Sequence, residues 1–181
     1  MELYERALGQ RREDKNKVYS LHEPQVYCLS KGKDHKKYEF GCKSSIAVTR
    51  EGGVVVAAIS HEKNQHDSRT LDEVLDQIEL VADRRPKVAI TDRGYRGRQE
   101  VNGTEIAVPG VAPKGQNSRE QEELRKKFRR RSSIEAVIGH LKKEHRLGVN
   151  YLNAAVGATI NVVLAAAAWN LRKWMRETAI A

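Results

Sequence analysis

The stretch that most constrains this chain is FRRRSSIEAVIGHLKKEHRLG, residues 128–148. Within it, Glu135 follows Arg131 by four positions and precedes Lys142 by seven. These spacings place the three side chains on one face of a predicted helix, with the carboxylate between two cations. Such a stripe is typical of a salt-bridged helix surface, and equally of an acid that works beside a polyanion and a bound metal ion.

A second acid, Asp92, follows the apolar segment 87–91 and precedes Gly94. The segment predicts a short buried strand that delivers Asp92 to the edge of a sheet, and Gly94 permits close approach of another group. Taken alone, Asp-Arg-Gly is also an ordinary turn after a strand. Together with Glu135, Asp92 predicts two acids that converge over one sheet edge. Carboxylates of this kind bind Mg²⁺ or Mn²⁺, and paired ions assist phosphodiester chemistry.

Charge and length limit the class of protein. A chain of 181 residues suits one domain with a real core, and its net charge of +9 favours an anionic partner, nucleic acid before membrane. Six of the seven positions 125–131 are Lys or Arg, which indicates either a solvated face or a nucleic-acid contact. Because only 6% of the residues are aromatic, contact with a duplex backbone fits better than stacking on single strands.

The cysteines and the apolar segments indicate the cellular compartment of the protein. Cys28 and Cys42 are the only cysteines and form no CxxC pair, so a reducing, cytoplasmic location without disulfides is expected. No pattern of a signal peptide opens the chain. Residues 154–171 are apolar, but three polar side chains interrupt them, so we expect a packing helix and no membrane partner.

Local patterns predict an α/β fold made of a hairpin, a helix, a strand and further helices. The predicted strands cover 25–29, 38–49, 54–59, 87–91 and 105–108, with a turn at 51–53. The predicted helices cover 71–81, 118–131, 132–145 and 154–176. Asp67 or Ser68 is placed to cap the first of these helices, and His66 and Asp67 are interpreted as capping residues rather than catalytic ones.

The motif segment resembles a known signature. FRRRSSIEAVIGHLK is similar to the motif of bacterial insertion-sequence transposases with a DDE catalytic core: tyrosine, two residues, arginine, three residues, glutamate, six residues, lysine. Arg131, Glu135 and Lys142 match its last three positions, and Phe128 replaces the tyrosine. TDRGYRG resembles the family's second-aspartate segment, at Asp92.

Further segments resemble one subgroup of that family. NQHDSRTLDEVLDQI is similar to the family's entry into a helix, while SLHEPQVYCLSKGKDHKKYEFGCK and IGHLKKEHRLGVNYL look like the subgroup named after insertion sequence five. The resemblance implies a mixed RNase H-like sheet of the retroviral-integrase type with flanking helices. It also implies Mg²⁺- or Mn²⁺-dependent nicking and strand transfer on double-stranded DNA at transposon ends. It assigns catalysis and metal binding to Asp92 and Glu135, and contact with DNA to Arg129, Arg130, Arg131, Lys142 and Tyr95.

The resemblance also implies what this chain lacks. The family's first catalytic aspartate lies on a strand well upstream of the SLHEP-like segment, which here begins at residue 20. We therefore expect residues 1–17 to be a lead-in and residues 18–181 to be a truncated catalytic domain without its first strand, inactive alone. Asp14, Glu23 and Asp34 are the possible substitutes for the first acid, and Glu23 is the best placed of them because a predicted strand follows it.

Three functions fit these observations, and a membrane-surface protein is a fourth that only the terminal apolar helix and the charge support. The first is a carboxy-terminal part of a transposase that assembles as a homo-oligomer or with a full-length transposase in the bacterial nucleoid. The second is a DNA-binding or inhibitory partner of an intact transposase, with vestigial acids. The third is a small RNase H-type nuclease, which requires a third acid from the amino-terminal region.

Overall fold

The computed structural model describes residues 2–33, 36–109 and 118–180. In chain order, the elements are helix α1 (Glu2–Gly9), strands β1 (Tyr27–Lys33), β2 (Lys36–Gly41), β3 (Lys43–Val48) and β4 (Val55–His61), helix α2 (Asp67–Ala82), strand β5 (Val88–Ile90), a 3₁₀ turn (Arg93–Tyr95), strands β6 (Glu100–Val101) and β7 (Thr104–Ala107), and helices α3 (Ser118–Glu144) and α4 (Ala154–Ile180).

The described strands form three small sheets. Strands β1 and β2 pair antiparallel, as do β3 and β4, while β5 pairs parallel with β7 and β7 pairs antiparallel with β6. Because helices pack against these sheets, the predicted mixed α/β class is confirmed at this level.

The predicted strand 38–49 is wrong as a single strand, because the chain changes sheets at Cys42. Its first half pairs with β1, and its second half pairs with β4. Two local features explain the break. Gly41 has a φ of 154°, which side-chain-bearing residues rarely adopt. The amide of Lys43 then donates to the hydroxyl of Tyr27 at 2.5 Å instead of continuing the β1 ladder.

Two hydrophobic clusters make the core. In the first, Val137 and Leu141 of α3 and Val162 of α4 pack against Val55 and Ala58 of β4. In the second, α2 places Leu71 and Leu75 on Val101 and Ile106, beneath the sheet of β5, β7 and β6. Since α2 also contacts β3 and β4, it spans two of the three sheets.

Side-chain amides close the outer edge of β4. Asn170 of α4 accepts from the amide of Val55 and donates to its carbonyl, both at 2.8 Å. Gln77 of α2 accepts from the amide of Ala58 at 2.7 Å. These contacts satisfy backbone groups that an edge strand otherwise leaves open.

The predicted helices occur with altered ends. Helix α2 contains the predicted 71–81, and its cap is His66, whose ring nitrogen accepts from the amide of Ser68. Capping by His66 is confirmed, whereas the alternatives Asp67 and Ser68 are not the cap. The separate helices predicted at 118–131 and 132–145 are one continuous helix, α3. The predicted strand 105–108 occurs as β7, one residue earlier, whereas β6 is an addition to the predicted elements. The turn between them is Asn102-Gly103, with positive φ at both residues, which is the strongest short hairpin signal.

Helix α4 includes the apolar segment predicted to pack. Among the described residues, Ala154–Ala179 is one helix long and apolar enough to span a membrane. A single helix of this kind is a weak sign of a membrane protein, because core helices of soluble proteins share its length and composition. Here Val162, Ala165 and Ala166 pack against the β3–β4 sheet and α3, while only 28% of the apolar window is buried.

Candidate functional site

Asp92 lies directly after β5, at the edge of the three-stranded sheet. The neighbouring amide of Thr91 donates to the carbonyl of Ala107 at 3.0 Å, so the strand remains paired up to this point. Asp92 itself caps the 3₁₀ turn: its Oδ1 accepts from the amide of Gly94 at 2.8 Å. The carboxylate is exposed and follows the short strand that the apolar segment predicts.

A second acid, Asp67, lies beside Gly94 and so close to Asp92. A Cβ atom added at Gly94 would overlap Oδ2 of Asp67 and would lie 3.0 Å from Oδ1 of Asp92. Both carboxylates therefore face the same small space, which only a residue without a side chain leaves open. The sequence pattern places Asp67 merely at the start of a helix, and nothing in local spacing indicates that it approaches residue 94.

Lys43 compensates part of this negative charge. Its Nζ forms an ion pair with Oδ1 of Asp67 and donates to the carbonyl of Gln65 at 2.8 Å. The two side chains are 23% and 30% exposed, so the pair is screened less than a surface pair.

A buried polar chain continues from the acids into the molecule. The hydroxyl of Thr70, which has no exposed surface, lies 3.2 Å from the hydroxyl of Tyr95 and donates to the carbonyl of Asp67 at 2.8 Å. Burial raises the pKa of Tyr95, and the charges of Asp67 and Asp92 raise it further, against a lowering by Thr70 and Ser45. The hydroxyl of Tyr95 is therefore protonated at neutral pH.

His61 ends this chain on the side of β4. Its Nε2 lies 2.8 Å from the hydroxyl of Ser45, and its Nδ1 lies 3.2 Å from the side-chain nitrogen Nε2 of Gln65. Burial lowers the pKa of His61, although the carboxylate of Glu73 opposes this effect.

Glu135 lies on α3 with an exposed side chain. Helix α3 contacts β5, the strand that ends before Asp92, and it is docked by Val137 and Leu141. The structure thus brings Asp67 and Asp92 together, but Glu135 does not complete a set with them. Across residues 2–33, 36–109 and 118–180, no group of three or more His, Cys, Asp or Glu side chains is placed to hold a metal ion.

The residues expected to contact DNA are only partly described. Lys142 is exposed on α3, and Tyr95 is half-buried with its hydroxyl on Thr70. The backbone of α3 carries the three predicted arginines, whose side chains lie outside the described part of the structure: Arg129, Arg130 and Arg131. Their contact with DNA stays a prediction.

The candidate substitutes for a first acid have other contacts. The carboxylate of Glu23 accepts from the amide of Ala154 at 3.2 Å, at the start of α4. The carboxylate of Asp14 accepts from the amide of Arg11 at 2.6 Å. Asp34 lies outside the described residues. Within the described ranges, neither Glu23 nor Asp14 joins a group that could hold a metal ion.

The described chain is thus a mixed α/β domain in which the carboxylates of Asp67 and Asp92 meet beyond the end of β5. Residues 17–171 match the family model of the transposase DDE domain, and the chain belongs to this family. The match confirms the transposase resemblance at the level of the family, whose members typically use a divalent metal. Comparisons with curated proteins and with solved structures found no match.

Proposed function

We propose that this chain acts in DNA transposition of an insertion sequence of the subgroup named after insertion sequence five, in metal-dependent nicking and strand transfer at transposon ends. The observation that carries the proposal is the family match over residues 17–171, together with the exposed carboxylate of Asp92 at the end of β5. Its substrate is double-stranded DNA, and its location is the bacterial cytoplasm, at the nucleoid.

Asp92 and Glu135 are the proposed ligands of Mg²⁺ or Mn²⁺. Oxygen donors of this kind fit a hard cation. When bound, the ions activate a water or hydroxyl and neutralise charge on the leaving oxygen. Asp92 supplies a carboxylate fixed by the amide of Gly94, and α3 presents Glu135 from a helix that contacts β5. Lys142, exposed on the same helix, contacts the backbone phosphates. The same contact is proposed for Arg129, Arg130, Arg131 and Tyr95.

We further propose that the domain is an RNase H-like sheet from which one strand is missing. Two features support this. Among the described strands, β3 pairs only with β4 and β5 pairs only with β7, so each keeps an unpaired edge. Helix α2 covers both sheets, which keeps them side by side. A strand between β3 and β5 would join them, with residues 1–17 as a lead-in and the domain starting at residue 18.

The metal assignment is tested by titrating Mn²⁺ and following the free ion by electron paramagnetic resonance. We expect wild-type protein to bind Mn²⁺ weakly, and Asp92→Asn and Glu135→Gln each to weaken binding about tenfold or more. Asp72→Asn is the control, because Asp72 lies on α2 in an ion pair with Arg98. Equal Mn²⁺ affinity of the wild type, the two ligand variants and the control would overturn the assignment.

Catalysis is tested with transposon-end DNA and Mn²⁺. Because two acids provide only part of a two-metal site, we expect no nicking by this chain alone. Robust nicking that Asp92→Ala abolishes would show that the chain is catalytically complete and would overturn the proposal of a missing strand and acid.

The second candidate function is a DNA-binding or inhibitory partner of an intact transposase. It is favoured by one observation, the lack of a three-acid group across the described residues. Glu135→Ala separates the two functions: DNA affinity without Mn²⁺ should be unchanged in both cases, whereas Mn²⁺ affinity falls only if Glu135 holds the metal.

A further inference from the structure

Asp67 divides its two carboxylate oxygens between two neighbours. Oδ1 faces the ammonium of Lys43, and Oδ2 faces the backbone of Gly94. Capping does not explain this arrangement, because the cap of α2 is the ring nitrogen of His66. Asp67 is therefore available for a contact outside its own helix.

The contact joins two separate sheets. Lys43 begins β3, whereas Gly94 belongs to the 3₁₀ turn that follows β5. Among the described strands, β3 and β5 share no ladder. Asp67 on α2 lies between them, with Lys43 of β3 on one side and Gly94 of the turn on the other.

The ammonium of Lys43 is needed to keep the carboxylate of Asp67 close to that of Asp92. The carboxylates of Asp67 and Asp92 both lie against Gly94, and like charges at such separations repel. The ammonium of Lys43 compensates the charge of Asp67, and the carbonyl of Gln65, 2.8 Å away, fixes that ammonium. Without Lys43, the turn would relieve the repulsion by moving away.

A second connection runs in parallel. The hydroxyl of Thr70 holds the carbonyl of Asp67 at 2.8 Å and lies 3.2 Å from the hydroxyl of Tyr95, the last residue of the turn. Both the backbone and the side chain of Asp67 are thus tied to the residues that follow Asp92.

We propose that Lys43 and Asp67 are positioning residues, which fix the 3₁₀ turn and with it the carboxylate of Asp92. In this role they set the affinity of Asp92 for a divalent cation, an effect that rests on the function proposed above.

Amide hydrogen exchange of metal-free protein, measured by NMR, tests the positioning. The amide of Gly94 donates to Asp92 Oδ1 at 2.8 Å, so its exchange reports how well the turn is held. We expect this exchange to be at least about threefold faster in Lys43→Met, because the charge of Asp67 is then uncompensated beside Asp92. We expect the same in Asp67→Asn, because the lost ion pair with Lys43 releases Asp67 from β3, which the removed repulsion from Asp92 offsets only in part. The matched control is Asp76→Asn. Asp76 also lies on α2, and the substitution breaks its ion pair with Arg85, which follows the helix.

Exchange of the amide of Leu75, whose side chain is fully buried in α2, reports whether each variant keeps its core. If Asp67→Asn disrupts the core, Lys43→Met and Lys43→Gln decide the question. Unchanged exchange at Gly94 in variants with an intact core overturns the proposal, as does an equal acceleration in Asp76→Asn.

Mn²⁺ affinity separates this inference from the proposed function. We expect Asp67→Asn and Lys43→Met both to weaken Mn²⁺ binding at least about threefold, in proportion to the exchange. A purely electrostatic effect has the opposite sign for Lys43→Met, because removing a cation favours metal binding, and that result overturns positioning. Wild-type protein that binds no Mn²⁺ overturns the metal role of Asp92, and exchange alone then decides whether the pair holds the turn.

Discussion

At the scale of single residues, the site depends on close approach at Gly94. Two carboxylates from different elements meet there because the residue carries no Cβ. The sequence indicates a need for glycine after Asp92, since a turn follows the strand. It does not indicate Asp67, because the approach of α2 to that turn depends on how two sheets lie beneath one helix.

Gly94→Ala is expected to destabilise the protein by about 1–3 kcal/mol, because the new methyl group overlaps the carboxylate of Asp67. Urea unfolding measures the change. Gly139→Ala is the matched control, since an added Cβ there has no neighbour within 4 Å in the interior of α3. That substitution should stabilise the helix by about 0.5–1 kcal/mol. Equal effects of the two substitutions would contradict the crowding at Gly94.

The lowered pKa of His61 predicts that the folded protein loses stability in mild acid. Burial lowers its pKa in the folded protein, so below about pH 6.5 the unfolded chain takes up a proton that the folded chain does not. The free energy of unfolding therefore falls as the pH drops from about 6.5 towards the folded pKa, by no more than about 1.4 kcal/mol per pH unit from this group. Urea titrations at several pH values measure the slope.

His61→Gln is the comparison for that titration, because glutamine keeps a polar group beside Ser45 without titrating. Its stability should vary less with pH between 5 and 7, roughly the range in which histidine titrates. A wild-type stability that rises on acidification would contradict the direction of the shift.

At the scale of elements, sequence patterns identify the helices better than the pairing of strands. The apolar spacing in residues 71–81 lies within α2, and residues 88–90 of the predicted 87–91 form β5. The split of strand 38–49 could not be predicted, because alternation along a chain says nothing about which sheet each half joins. The break at Cys42 depends on Tyr27, which lies in a different strand and binds the amide of Lys43.

The side-chain hydrogen bonds of Asn170 link α4 to strand β4 of the β3–β4 hairpin and predict that they stabilise it. Asn170→Ala leaves the amide and carbonyl of Val55 without their partner, so we expect a loss of about 1–3 kcal/mol in urea unfolding. The control is Asn161→Ala on the same helix, whose amide makes one long contact of 3.4 Å with the carbonyl of Arg146. Its effect should stay below about 0.5 kcal/mol. A small effect of Asn170→Ala would show that water replaces the amide at the edge of β4.

At the scale of the whole molecule, the basic run and the pair of neighbouring acids lie on different elements of the fold. The acids Asp67 and Asp92 meet where α2 begins and β5 ends, while the densest basic run, 125–131, belongs to α3. Helix α3 contacts β5 and so links the two regions. The backbone of the basic run therefore belongs to a helix that also packs on the strand before Asp92.

The net charge of +9 predicts DNA binding that weakens steeply with salt. Replacing Arg129, Arg130 and Arg131 by Gln should lower the affinity for duplex DNA and flatten the slope of log K against log salt, by about 0.9 for each phosphate that the protein no longer neutralises. Fluorescence anisotropy at 50–200 mM salt, roughly the range over which such binding changes most, measures the slope. The control removes the same charge from the lead-in by changing Arg11, Arg12 and Lys15 to Gln. If both triple variants flatten the slope equally, DNA responds to overall charge and α3 is not the contact surface.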